Sequence, residues 1–207
     1  MKNLWDSPVM QVLQQTADLI LLNVVWLVCS LPVVTIGPAS AAMYEALKPI
    51  QAGGGTRVIP VFREAFTHRF LQRMLAGWAI LLCGCVLAVD FLALAQFDGA
   101  ARPVLFGLFL FLSVLVLTTA SCLFPLMAEH DMGAGTGIRL AFWLSFRRLG
   151  RAGAAALLHA LPLLLFLFMP PVFLLLIPLW LTGYFSLAAS LSSRLLRPVL
   201  QEGGLLL

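Results

Sequence analysis

Charge is scarce in this sequence. Only 11% of its 207 residues are Asp, Glu, Lys or Arg, while 61% are hydrophobic. The mean hydropathy is +1.00. Soluble domains carry ~25% charged residues, and so few charges cannot screen so much apolar surface from water. A soluble domain is excluded, and the integral membrane class remains. The net charge of +4 comes without a dense basic cluster interleaved with exposed aromatics, so nucleic acid is not an expected partner. The arginines stand at the ends of apolar runs, where bilayer topology needs them.

Catalytic motifs are missing too. There is no GxSxG, HExxH or Walker loop. The glycines of 133–137 follow no strand and have no suitably spaced lysine. The expectation is a non-enzyme, with no catalytic residue and no cofactor. The four cysteines, Cys29, Cys83, Cys85 and Cys122, all lie inside apolar runs. The step from Cys83 to Cys85 turns ~200° on a helix, so the two thiols face apart. A metal site needs more ligands than this, at other spacings. Inert thiols in helix packing are expected, and no metal. A cleaved signal peptide is also disfavoured. Ala39-Ser40-Ala41 follows a hydrophobic run, but that run exceeds the ~7–15 residues of a signal core. It is preceded by Asp6 and Asp18 against a single Lys2.

What the chain has in abundance is long apolar runs. They predict a single all-α transmembrane domain over 1–207, with five spans at about 17–36, 74–96, 104–128, 152–169 and 172–191. The run from 152 to 191 is too long for one crossing of ~20 residues, and Pro170-Pro171 divides it. Two amphipathic segments, 58–73 and 138–151, are expected at the interface. Phe62, Ala65, Phe66 and Phe70 form the apolar face of the first; Ile138, Ala141, Phe142 and Phe146 form that of the second. Trp5 suits an interface anchor.

The positive residues set an orientation. Lys48, Arg57, Arg63, Arg69 and Arg73 fall in one loop region, Arg139, Arg147, Arg148 and Arg151 in another, and Arg194 and Arg197 in the tail. All three share a side in the five-span scheme, and only Lys2 and Arg102 oppose them. The N-terminus is therefore expected outside and the C-terminus in the cytoplasm. Both amphipathic helices then lie at the cytoplasmic face. Arg63, Arg69, Arg73, Arg139, Arg147, Arg148 and Arg151 become candidate contacts for lipid head groups. The two segments also align at an offset of 76, Phe62-Arg63-x-Ala65-Phe66 against Ile138-Arg139-x-Ala141-Phe142. The alignment admits a parallel tandem repeat. Any two interfacial helices that feed a span would look alike in the same way.

The stretch 22–47 organises the rest. It opens as a span, breaks at Gly37-Pro38, and restarts as a short polar-faced helix over about 38–48, which Pro49 ends. Ala39, Ser40, Ala41 and Ala42 allow close approach of neighbouring backbones. Asn23 lies deep in the span and requires a partner. The N–H groups at the start of this helix suit an anionic head group. A plain turn with Ser40 as a packing residue is the preferred alternative. Asn23, Trp26, Ser30, Leu31, Pro32, Thr35, Gly37, Pro38, Ala39, Ala41 and Ala42 together spell N-x-x-W-x-x-x-S-L-P-x-x-T-x-G-P-A-x-A-A. This pattern resembles the signature of the YesL family of small bacterial integral membrane proteins, whose function is uncharacterised. Phe124-Pro125-Leu126-Met127-Ala128 also resembles the family pattern. The resemblance implies residence in the bacterial cytoplasmic membrane. It further implies an accessory role beside another membrane protein, such as a sugar-uptake system. It supplies no catalytic residues, and marks Asn23, Trp26, Pro32, Thr35, Gly37 and Pro38 as a structural elbow.

Ionisable groups at bilayer depth are costly and point to function by default. Asp90 and His159 are the candidates. They suit a solute or proton path; the bland alternative is an Asp90 bonded to a neighbouring helix and a neutral His159 bonded to a backbone carbonyl. Two functions follow. The first is a non-enzymatic accessory protein that binds a membrane partner. The second is a small solute transporter. Polar residues converging on one cavity favour transport; a dry core with an exposed small-residue face favours the accessory role.

Overall fold

The computed structural model describes residues 8–53, 57–96 and 98–204. Trp5, Lys2, Asp6 and the last leucines lie outside the described residues. Among the described residues there is helix and no strand. The helices are α1 (Pro8–Ser30), α2 (Ile36–Gln51), α3 (Val58–Thr67), α4 (Phe70–Ala95), α5 (Arg102–Glu129), α6 (Ala134–Arg147), α7 (Leu149–Phe168), α8 (Pro170–Leu175), α9 (Ile177–Leu179) and α10 (Phe185–Gly204). A 3₁₀ turn (Val33–Thr35) precedes α2, and a π turn (Trp180–Tyr184) joins α9 to α10.

Four helices are long and apolar enough to cross a membrane: Met10–Ser30, Phe70–Ala95, Arg102–Glu129 and Leu149–Phe168. They carry the first four expected spans. Their outward faces are strongly apolar and exposed, as surface facing lipid must be. Phe168 is 79% exposed and Val104 72%. Inside α5, Ser113, Thr118, Thr119 and Ser121 each return their hydroxyl to a backbone carbonyl three or four residues back, which removes their polarity from an apolar setting.

The fifth expected span, 172–191, is a series of helical pieces. Met169 (φ −139°, ψ 62°) stands outside the helical region, as the residue before Pro170 must. Leu176 (φ −90°, ψ 3°) breaks the run again, because Pro178 lacks an N–H and crowds the turn before it. Beyond it comes the π turn.

The amphipathic segments also differ from expectation. The 58–73 segment is two helices, because Arg69 adopts a left-handed conformation (φ 49°) between α3 and α4. The second segment is α6, shifted toward the N-terminus to 134–147, and it ends where Arg148 leaves helical geometry (φ −126°, ψ 44°). Its buried stripe is Gly137, Ala141, Leu144 and Ser145, whereas Phe142 and Phe146 are exposed. In α3 Phe62 and Ala65 are buried, and Phe66 and Phe70, the counterparts of Phe142 and Phe146, are half-buried. Of the aligned positions, Ala65 and Ala141 are both buried and Arg63 and Arg139 both exposed, while the aromatic positions differ.

The largest correction concerns the helix expected at 38–48. It runs over Ile36–Gln51 and takes Pro49 within it. It lies at the centre of the bundle and is buried on nearly every face from Gly37 to Leu47. It packs on α1, α3, α4, α5 and α10. Ala39, Ala41 and Ala42 are fully buried, so the small residues do bring backbones together. The tightest approach is to α4. A Cβ on Gly77 would stand 2.7 Å from Gly37 Cα, and a Cβ on Gly37 would collide with the backbone carbonyl oxygen of Arg73. Only glycine fits either place.

Candidate functional site

The elbow residues hold the scaffold together. Pro32 follows the end of α1. The Thr35 hydroxyl lies 2.6 Å from Cys29 O and 2.7 Å from Pro32 O, serving carbonyls that lose helical partners where α1 stops. Gly37 and Pro38 are buried against α4. The start of α2 is thus closed by protein and does not face a head group, which removes the anion-cradle expectation. Asn23 is fully buried, and its partners are at the far end of the chain. Its Nδ2 donates to Trp180 O (3.1 Å) and Leu181 O (2.8 Å), and its Oδ1 accepts from Ser186 N (3.1 Å). One amide thus satisfies the backbone groups that the π turn leaves outside the ordinary helical ladder.

Beside this scaffold lies a cavity of about 220 Å³. Trp26 of α1, Ser40, Met43 and Tyr44 of α2, Ser121 and Phe124 of α5, His159 of α7 and Phe185 of α10 line it. Trp26 Nε1 donates to Ser40 Oγ (3.4 Å), and the Trp26 ring meets Phe185 at 4.9 Å between centroids. His159 Nδ1 lies 2.7 Å from Ala155 O. A carbonyl only accepts, so Nδ1 carries the proton and Nε2 is left as an acceptor. Tyr44 Oη, 3.2 Å away, donates to it. Ser192 Oγ lies 3.0 Å from both Tyr44 Oη and Ala189 O, and its one proton is shared between these two acceptors. The result is a chain of hydrogen bonds from Ser192 through Tyr44 to a neutral His159. No Asp, Glu, Lys or Arg lines the cavity.

Tyr44 also borders a second, polar cavity of about 210 Å³, whose walls include Lys48, Gln51, Glu129, Ser193 and Arg197. Arg197 donates to Gln51 Oε1 (3.3 Å), and Lys48 Nζ donates to Ala128 O (2.7 Å) at the end of α5.

Of the seven arginines expected at lipid head groups, Arg63, Arg69, Arg139, Arg147, Arg148 and Arg151 are exposed. Arg69 lies 3.7 Å from Asp131, and Arg147 stacks over Trp143 at 4.6 Å. Arg73 is the exception. It is 2% exposed, and its guanidinium is ion-paired with Glu45 and donates to Ala65 O (2.6 Å) and Met127 O (3.1 Å). It therefore closes the C-terminal ends of α3 and α5 and cannot reach a head group. Its sequence position, at the end of an apolar run, is the same whether an arginine faces lipid or caps helices.

Asp90 and His159 are not brought together. His159 belongs to the Tyr44 cluster, whereas Asp90 is half-buried on α4 and does not line the cavity. Tyr44, Ser192 and the Arg73–Glu45 pair escaped the sequence reading. Tyr44 follows Ser40 by one helical turn and so shares its face, a signal present in the sequence. Ser192 sits in a serine-rich run whose facing helix only the fold reveals. Among the described residues no group of His, Cys, Asp and Glu is arranged to hold a metal.

Residues 19–91 match a family model described as "Protein of unknown function, DUF624". That region contains Asn23, Trp26, the elbow, Tyr44, Glu45 and Arg73, while His159 and Ser192 lie beyond it. The chain is also similar to "Uncharacterized protein YesL" of Bacillus subtilis (strain 168), at 28% identity over 131 residues, which is 61% of this chain and 61% of the relative. It thus spans about three-fifths of the length of that relative. No solved structure matches. The chain is thus similar to an uncharacterised YesL-like protein over part of its length, and its four long apolar helices are those of a membrane protein.

Proposed function

We propose that this protein is a non-enzymatic, multi-pass protein of the bacterial cytoplasmic membrane that binds an uncharged polar molecule in the Tyr44–His159 cavity. Such binding is the capture step of a small-solute carrier. The observation that carries the reading is the convergence of polar groups on one interior cavity. Tyr44, His159 and Ser40 meet there among aromatic side chains, with no charged residue in the wall, while Ser121 keeps its hydroxyl on Leu117 O. A neutral lining selects an uncharged ligand, because an ion buried there has no compensating charge. The cavity is smaller than the ~300–1,000 Å³ usual for drug-sized ligands, so the group it takes is small. In this reading α8 to α10 make a fifth crossing, the N-terminus is outside, the C-terminus is in the cytoplasm, and the exposed arginines meet anionic head groups. A partner-binding role beside a sugar-uptake system rests on the YesL-like resemblance; the cavity supports ligand binding more directly.

The test is a thermal-shift screen of the protein in nanodiscs. It uses uncharged polyols and amides, each offered free and as a single-chain acyl derivative, alongside charged congeners. Uncharged compounds are expected to raise Tm in the wild type and lose that effect in Tyr44→Phe and His159→Ala. Equal shifts from charged congeners, or full shifts in both variants, would overturn the reading.

A further inference from the structure

We infer that the ligand of this cavity is a single-chain amphiphile that enters sideways from the bilayer, its uncharged head at Tyr44–His159 and its chain in a groove on α4. The inference rests on the cavity being the binding site proposed above.

A third space, about 690 Å³ and almost wholly apolar, lies between α4, α5 and α7. It shares Leu117 and Ala120 with the Tyr44 cavity. The two spaces follow one cleft. On α7, His159 lines the cavity, and Leu163 and Leu167, one and two turns on, line the groove. On α5, Phe124 and Ser121 line the cavity, Ala120 and Leu117 line both, and Ser113 lines the groove. Residues spaced by three and four share a helix face. The polar and apolar spaces are therefore successive lengths of one cleft between two spanning helices. From Ser113 to Phe124 the cleft runs ~16 Å at the helical rise. Leu117 and Ala120 stand at the boundary between them.

The α4 wall of the groove carries Ile80, Leu81, Leu87 and Phe91, and it opens where Gly84 and Ala88 interrupt them. A Cβ on Gly84 would meet nothing within 4 Å, and Ala88 follows one turn later. Both are exposed, and α4 is one of the four helices long enough to span a bilayer, so the groove opens toward hydrocarbon. The chemistry changes along the cleft from hydrocarbon lining to the hydroxyl oxygens of Tyr44 and Ser40, which can accept a further bond, and aromatic faces, with no charge. A molecule that matches both parts has an acyl chain and a hydroxyl-bearing neutral head. A water-soluble solute would fill only the Tyr44 end of the path. A diacyl phospholipid would bring a charged phosphate to a cavity that has no cation to receive it.

A diazirine placed at the chain end of a monoacylglycerol tests this in nanodiscs. Photolabelling is expected on the α4 peptide carrying Gly84 and Ala88, with competition by untagged monoacylglycerol and not by glycerol at equal concentration. Tyr44→Phe, which removes one head-group hydrogen bond, should weaken competition about tenfold. Gly84→Phe and Ala88→Phe, which fill open space and leave packed contacts intact, should abolish the label while Tm is retained. If glycerol competes as well as its acyl ester and the groove variants change nothing, the ligand is water-soluble; the amphiphile is then excluded and the cavity reading stands. If labelling is saturable yet indifferent to Tyr44→Phe, both readings fail.

Discussion

At the scale of single residues, the polar side chains buried in this bundle act on backbone more than on one another. Asn23 serves three backbone groups of the last helical segment, and Arg73 serves the ends of two helices while Glu45 neutralises it. Each makes a sharp prediction. Asn23→Asp is nearly isosteric but sets a carboxylate oxygen against Trp180 O and Leu181 O. It should destabilise more than Asn23→Ala, which leaves the same carbonyls unsatisfied at ~1–3 kcal/mol each. Unfolding in detergent, followed by Tm, compares the two, and equal Tm values would show that the clamp is not a donor. Arg73→Met leaves the partly exposed Glu45 without its cation and frees the Ala65 and Met127 carbonyls that Arg73 capped, a loss of ~1–3 kcal/mol. The double variant Arg73→Met/Glu45→Leu should recover part of that loss, and a double-mutant cycle measures how much. The sequence marked Asn23 as a residue needing a partner, because an amide inside an apolar run has nowhere local to bond. It did not mark Arg73, since the end of an apolar run is also where lipid-facing arginines belong.

At the scale of elements, the long helices were legible and the central one was misread. Length and hydropathy determine a span almost alone, so α4, α5 and α7 fall close to their expected bounds. The helix α2 is short and carries Tyr44, Glu45 and Lys48, which suggested a polar face. Its polar groups turn out to be satisfied within the protein, Tyr44 by His159 and Glu45 by Arg73, while the exposed Lys48 caps a helix end. Periodicity records which residues are polar and is silent on whether a partner waits for them. The small residues were the better guide, and their crossing point can be tested. Gly77→Ala and Gly37→Ala each drive a methyl group into backbone, so α2 and α4 must separate. A loss of ~1–3 kcal/mol or more is expected. Gly107→Ala on α5 is the control, since nothing lies within 4 Å of its added Cβ. It should be neutral, or stabilise by up to ~1 kcal/mol through helix propensity. If all three glycines tolerate alanine alike, the helices are not packed backbone to backbone.

At the scale of the whole molecule, the membrane class followed from composition, while the order of packing did not. A count of apolar runs cannot say that the first and last segments are neighbours, because that adjacency depends on contacts far apart in sequence. The C-terminal end has its own test. A reporter fused after Gly204 should read cytoplasmic if α8 to α10 complete a fifth crossing, and a periplasmic reading would leave four. The Asn23 clamp also has a bearing on biogenesis. The Asn23 amide is made well before its acceptors and finds them only when the carbonyls of Trp180 and Leu181 arrive, more than a hundred residues later. Until then the chain holds an unsatisfied amide in hydrocarbon. A nascent or truncated chain ending before Trp180 is therefore marked as unfinished by its own chemistry. Such a truncation should be cleared by membrane proteolysis faster than the full chain in a pulse-chase experiment. Asn23→Leu, which has no partner to wait for, should narrow the difference.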